Sequence, residues 1–253
     1  MKTVYGPVPS WRLGRSLGID LLCKRGKVCS FDCLYCQLDR TAEKSLNRRV
    51  FVETSRVKED FKEAIGKVKA DIVTFSGTGE PTLAKNLGGA MSAIRNLTGL
   101  PLAVLTNSSL MRQSDVRRDL LGFDVVVAKL DAPNQILFEK INRPLAGMEF
   151  DTVVEGISRF RDEFDGKLAL QMMFIEENKQ YAKEMSELAA RLSPDEVQID
   201  TPLRASPVKP LSPSEISTIA REFGEFNVIS VYEKEGPKVR PLDTGELHVR
   251  RPE

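Results

Sequence analysis

Six short apolar runs recur along the chain, at 17–23, 71–76, 101–106, 124–130, 167–175 and 196–201. Each is rich in Val, Ile and Leu, the pattern of strands buried on both faces. Between them the apolar residues fall at helical spacing. Phe61, Ile65 and Val68 mark one helix, and Leu87, Met91 and Ile94 a second. Val153, Ile157, Phe160 and Phe164 mark a third, and Tyr181, Met185, Leu188 and Leu192 a fourth. Strands alternating with helices specify a parallel sheet with right-handed crossovers. Six units close only part of a barrel, so the expected fold is α/β, a partial (β/α)6 TIM-like barrel. The 253 residues suffice for one such domain, since the complete eight-fold barrel takes about 250.

The character changes after residue 204. The stretch ASPVKPLSPSE holds three prolines and reads as a connection. Ser212, Pro213 and Glu215 then give an N-cap, a proline at the first helical position and an acid at the third, a capping-box start for a helix over 213–223. A strand at 227–233 and a polar tail follow. Residues 1–205 are therefore read as the core with a basic N-terminal loop. Residues 206–253 are read as a short C-terminal α/β extension packed on it, too small for a core of its own.

The formal net charge is +1, which gives no global argument for a nucleic-acid or membrane partner. Residues 1–50 nevertheless carry ten Lys/Arg against four Asp/Glu. Such a region can attract a phosphate-bearing substrate, or simply be a basic solvated surface. No apolar run approaches the roughly 18 residues that span a bilayer, and the start MKTVYGPVPSW has no signal-peptide core, so a cytoplasmic protein is expected. Thiols are reduced there. All four cysteines lie within the fourteen residues from Cys23 to Cys36, and such crowding reads as metal binding before disulfides. With His248 the only histidine, no Ser/His/Asp set can be assembled, and no Walker A loop is present.

Cys29, Cys33 and Cys36 form a C-x3-C-x2-C motif directly after the first expected strand. Soft thiolates this close converge on an iron–sulfur cluster or a zinc ion. Three thiolates on a four-iron cubane leave one iron open to an external ligand. The alternatives are a zinc site with Cys23 as fourth ligand, and cysteines that merely pack.

A C-x3-C-x2-C motif with an aromatic residue before its last cysteine resembles the radical SAM superfamily. The resemblance implies a 4Fe–4S cluster on Cys29, Cys33 and Cys36 and S-adenosylmethionine as second cofactor, its amino and carboxylate groups on the open iron. Reductive cleavage of a carbon–sulfur bond would then give methionine and a 5′-deoxyadenosyl radical, and a one-electron donor of flavodoxin or ferredoxin type is implied. Tyr35 would lie beside the adenine. Phe75–Thr82, with Gly77, Thr78, Gly79 and Glu80, follows the second expected strand and is similar to the family's methionine amino-group motif. Glycines there permit close backbone approach, and a carboxylate accepts from an ammonium.

Asn107 ends the third strand, Lys129 and Asp131 the fourth, and Gln171 lies in the fifth. Polar groups at the carboxyl ends of barrel strands are where ligand contacts are expected. Lys129 suits the methionine carboxylate and Asp131 the ribose or the substrate. Gln171 either bonds a neighbouring strand or faces the cofactor. Met172 and Met173 are read as core.

The opening residues 5–20, CSFDCLYCQL, FSGTGEPTL and DTPLR narrow the likeness, over residues 5–205, to an archaeal radical SAM group described as similar to wyosine synthase, a tRNA-modifying enzyme. Cys23 is the only spare cysteine, so the second cluster of wyosine synthases cannot be built from this chain's thiols. The substrate is left open, with a nucleoside or RNA first. Arg12 and Arg15 can grip its phosphate or carboxylate, or else fix the N-terminal loop to the barrel. Cys23 can act near the cluster as hydrogen donor, or simply be buried. Two rival readings stand: cleavage to methylthioadenosine and an aminocarboxypropyl radical, and a non-catalytic iron–sulfur or zinc protein.

Overall fold

The computed structural model describes residues 1–251. Its elements run β1 (Val4–Ser10), β2 (Gly14–Ile19), β3 (Lys27–Cys29), β4 (Thr41–Lys44), α1 (Thr54–Ile65), β5 (Ile72–Phe75), α2 (Leu87–Arg95), β6 (Leu102–Thr106), α3 (Ser114–Leu120) and β7 (Val125–Lys129). There follow α4 (Gln135–Asn142), α5 (Phe150–Glu163), β8 (Lys167–Met173), α6 (Ala182–Leu192), β9 (Glu196–Asp200), α7 (Pro213–Glu222), β10 (Val228–Ser230) and α8 (Thr244–Arg250).

Eight strands form one sheet in the order β1-β2-β5-β6-β7-β8-β9-β10. From β2 to β10 every pairing is parallel, and each crossover adds the next strand on the same side. That single winding curls the sheet into a partial barrel instead of a doubly wound layer. Burial on both faces is direct: Val126, Val127 and Ala128 are consecutive in β7 and all fully buried. The helices cover the outer face with their apolar stripes, α5 through Val153, Ile157 and Phe160.

β1 pairs antiparallel with β2 and is a strand the reading of the sequence did not contain. Gly18 of β2 lies so close beneath the Tyr5 ring that a Cβ there would stand 2.2 Å from it. The six parallel strands fall where the apolar runs placed them. Residues 206–251 continue the same architecture: β10 extends the sheet beyond β9, and α7 begins with the full capping box.

The tail then crosses from the β10 edge to the β1 edge. Leu242 N donates to Gly6 O (2.7 Å), and α8 packs on β1. Helix α8, in a segment read as a polar tail, is held there by Arg250. This side chain is fully buried, donates to Asp20 at 3.0 Å and to Glu246 at 2.7 Å, and lies over the Tyr5 ring. No helix among the described residues is long and apolar enough to cross a membrane.

Candidate active site

The cysteine loop leaves β3, which pairs with β4 in a two-stranded ribbon above the sheet. Backbone hydrogen bonds fasten it on two sides. Val28 N donates to Thr78 O (3.1 Å) and Glu80 N to Val28 O (3.0 Å), joining the ribbon to the glycine loop after β5. That approach requires Gly79, since a Cβ would lie 1.7 Å from Val28 O. On the other side Asp32 N donates to Asn142 O (3.0 Å) and Leu34 N to Ile141 O (2.8 Å), at the end of α4.

Cys29, Cys33 and Cys36 all line one cavity at the carboxyl ends of the strands. Asn107 Nδ2 approaches Cys29 Sγ at 3.4 Å and Asn142 Nδ2 approaches Cys33 Sγ at 3.5 Å. Burial pushes the Cys29 thiol up to about 12, so a bound metal, not the protein alone, would make it a thiolate. Lys27 Nζ is buried without a hydrogen-bond partner among the described residues, with Asp32 Oδ1 at 3.8 Å as its carboxylate neighbour. Burial opposes its charge, but the sulfurs of Cys36 and Cys29 outweigh that and hold its pKa above the usual value. A buried ammonium without a hydrogen bond beside three cysteines fits a negatively charged iron–sulfur group.

Among the described residues no His, Cys, Asp or Glu side chains are grouped to hold a single metal ion. Cys23 Sγ faces Met1 O and Lys2 O, each at 3.5 Å, and does not line the cavity. The zinc arrangement with Cys23 as fourth ligand is therefore not formed. Three thiols around an open cavity suit a cubane with one iron left to an outside ligand.

Glu80 is 2% exposed and caps the 3-10 turn Pro81–Leu83. Its Oε1 accepts from Thr82 N (3.0 Å), Thr82 Oγ1 (2.6 Å) and Thr106 Oγ1 (2.7 Å), and its Oε2 accepts from Asn107 N (2.7 Å). Burial raises its pKa despite these donors. An ammonium ligand would reverse that. Gly77 and Gly79 line the cavity with Glu80. Thr78 does not; its hydroxyl turns to Asp20 (3.0 Å) and accepts from Lys24 N (3.1 Å). A Cβ at Gly77 would lie 2.3 Å from Asp20 Cγ.

The opposite wall is a row of polar side chains. Lys129 and Gln171 stand in register on β7 and β8. Lys129 Nζ lies 4.9 Å from the Tyr35 ring centre and 3.5 Å from Gln171 Oε1. Gln171 Nε2 donates to Asp200 Oδ2 (2.6 Å), and Arg12 Nη1 stands 3.7 Å from the same oxygen.

Of the residues singled out in the sequence, Arg12, Tyr35, Gly77, Gly79, Glu80, Asn107, Lys129, Gln171 and the three motif cysteines meet at this cavity. Asp131 stands behind it, accepting from Tyr35 Oη, Asn142 Nδ2 and Met173 N; it braces Tyr35 and has no cavity surface for a ribose. Arg15 pairs with Asp71 outside. Met172 is core, but Met173 reaches the cavity. Lys27, Tyr5, Asp200, Arg204, Arg250 and Arg251 also line it. Lys27 lies in the basic N-terminal segment but was not singled out there, and nothing local marks Arg204, Arg250 or Arg251.

A cysteine loop and a glycine–glutamate loop meet at the mouth of a partial (β/α) barrel, a fold and arrangement of the radical SAM kind. Residues 24–189 match the radical SAM superfamily, and the chain belongs to that superfamily. The UPF0026 protein of Methanocaldococcus jannaschii is 38% identical over 237 residues, 90% of this chain and 72% of that protein. That of Synechocystis sp. is 41% identical over 211 residues, 81% and 77% respectively, so the resemblance extends beyond archaea. A probable GTP 3′,8-cyclase of Saccharolobus islandicus is 26% identical over 190 residues, 74% of this chain and 58% of that one.

Among solved structures, Streptococcus suis SuiB bound to S-adenosylmethionine aligns with a TM-score of 0.63 at 13% identity, over 83% of this chain and 50% of that one. Archaeal TYW1 aligns with a TM-score of 0.59 at 17% identity, over 85% and 72%. At such identities the likeness is one of fold.

Proposed function

We propose that the protein is a radical SAM enzyme acting on a nucleoside, a nucleotide or an RNA. The observation that carries the enzymatic part is the convergence of Cys29, Cys33, Cys36, Glu80 and Lys129 on one cavity. When bound, a 4Fe–4S cluster supplies the electron that cleaves S-adenosylmethionine to methionine and a 5′-deoxyadenosyl radical. The chain's own groups position and shield. The three cysteines hold iron. Glu80, fixed by four donated hydrogen bonds, offers carboxylate to the methionine ammonium. Lys129 offers its ammonium to the carboxylate, and Tyr35, itself held by Asp131, keeps water from the adenine side.

The basic N-terminal segment and the similarity to a protein named as a probable GTP 3′,8-cyclase support the nucleoside or nucleotide reading. A small flavodoxin- or ferredoxin-like protein is the proposed electron donor.

The test is anaerobic. The protein is loaded with iron and sulfide, reduced, given S-adenosylmethionine and assayed by mass spectrometry. 5′-Deoxyadenosine is expected. Methylthioadenosine would replace this reading with aminocarboxypropyl chemistry, and a loaded cluster that cleaves nothing even with cell extract added would leave a binding protein.

A further inference from the structure

The wall of the cavity farthest along the polar row carries more positive charge than the other described residues there balance. Arg12, between β1 and β2, is 15% exposed, yet its Nε and Nη1 are buried without a hydrogen-bond partner among the described residues. Arg204, in the loop after β9, has Nη1 in the same condition. Arg251 follows α8 and brings a third guanidinium to the same cavity. Arg250 lines it too but is paired with Asp20 and Glu246.

Asp200 is the acid that faces this group. It stands 3.7 Å from Arg12 Nη1, beyond hydrogen-bond reach, and already accepts from Gln171 Nε2 and Thr201 N. Glu196, which also acts on Arg12, is bonded to Lys167 at 2.7 Å. Among the described residues, three guanidinium groups against one facing carboxylate leave an excess of two positive charges. Burial lowers the pKa of all three, Arg204 to about 10, with repulsion from Arg251 adding to it. Buried donors without acceptors are costly unless a ligand supplies the acceptors.

We propose that Arg12, Arg204 and Arg251 form a phosphate subsite, which receives the terminal phosphate of a small phosphorylated substrate whose other end reaches the cysteine and Glu80 side of the cavity. The proposal rests on the radical SAM reading for what happens at that other end. A phosphate monoester dianion matches the excess of two charges, and its oxygens accept forked donors from several directions. A carboxylate brings one charge in one plane. The row Arg12–Asp200–Gln171–Lys129 lies between the two ends as a polar floor. A small ester suits the site, because α8 and the residues leading into it pack on β1 beside this wall. The neighbouring Arg15, outside, is already spent on Asp71.

The test is calorimetric titration of anaerobic, cluster-loaded protein with inorganic pyrophosphate, inorganic phosphate and acetate. Affinity for S-adenosylmethionine and iron content are measured on the same preparations. Pyrophosphate and phosphate should bind saturably and acetate should not. Arg12→Gln and Arg204→Gln should each weaken pyrophosphate binding about tenfold or more, with cofactor affinity and iron content unchanged. Pyrophosphate binding equal in wild type and variants would overturn the subsite, as would acetate binding as tightly as phosphate. So would absent phosphate binding by protein that takes up the cofactor normally. If the wild-type protein failed to bind the cofactor, the radical SAM reading would fall instead, while the phosphate titration would still decide the subsite. Should Arg12→Gln fail to fold, Arg204→Gln, on a loop, carries the test alone.

Discussion

Asn107 ties Glu80 to Cys29: its backbone N donates to Glu80 Oε2 at 2.7 Å while its side-chain Nδ2 stands 3.4 Å from Cys29 Sγ. The carboxylate proposed for the cofactor's amino group and a proposed iron ligand are therefore positioned by one residue at the end of β6. The two ends of that link can be tested separately.

Cys33→Ala removes one of the three thiols lining the cavity. We expect that variant to fold but to incorporate little iron or sulfide, and iron analysis of the reconstituted protein checks it. Iron content equal to wild type would take Cys33 out of the ligand set.

Glu80→Gln keeps the shape and removes the charge. Iron uptake should be unchanged and affinity for S-adenosylmethionine should fall about tenfold or more, as for loss of a charge-assisted hydrogen bond. Equilibrium dialysis of the loaded protein measures it, and an unaltered affinity would show that the ammonium sits elsewhere.

Gly79→Ala would press a Cβ to 1.7 Å from Val28 O. The ribbon bearing Cys29 has to move, so both iron uptake and cofactor binding should drop together. Preservation of either would mean that the ribbon and the glycine loop are not coupled as their shared hydrogen bonds indicate.

Glu215 answers to pH. Hydrogen bonds from Lys179 first, and from Ser212, hold its pKa down from 4.5 to about 2. A carboxylate depressed on folding contributes stability that is complete above 4.5 and is lost as pH falls through about 2. The difference in melting temperature between wild type and Glu215→Gln should thus be largest near neutrality and shrink to nothing toward pH 2. Its exposure keeps the effect small and sensitive to salt. A difference that grows on acidification would contradict the sign.

Arg250→Met leaves Asp20 buried without its cation. Breaking a buried pair from one side costs about 3–5 kcal/mol, read as a shift of the denaturant midpoint. A shift near zero would show that Asp20 is satisfied by Thr78 and the backbone alone.

What the sequence displays most clearly is what repeats or clusters. Doubly buried strands such as β7 are apolar up to their last residue, and the cysteines form one short motif and the glycines another, so both the core and the cysteine and glycine loops that line the cavity were legible. β1 was not, because the Gly and Pro residues in VYGPVPS argue against a strand; they are tolerated at a sheet edge. Nor was α8, whose buried anchor is an arginine and not an apolar stripe. Asp131 occupies the position expected of a ligand contact but turns to Tyr35, Asn142 and Met173 N and does not line the cavity, a matter of side-chain direction that no spacing records. The arginine wall is assembled from three separate stretches of the chain, and only the fold brings Arg12, Arg204 and Arg251 together.

The contact between Arg250 and Asp20 spans 230 residues of sequence. The same carboxylate accepts from Thr78 N and Thr78 Oγ1 in the glycine loop and from Leu22 N and Cys23 N ahead of the cysteine ribbon. One buried acid therefore serves as a common anchor for the C-terminal helix, the glycine loop and the segment that leads into the cysteines.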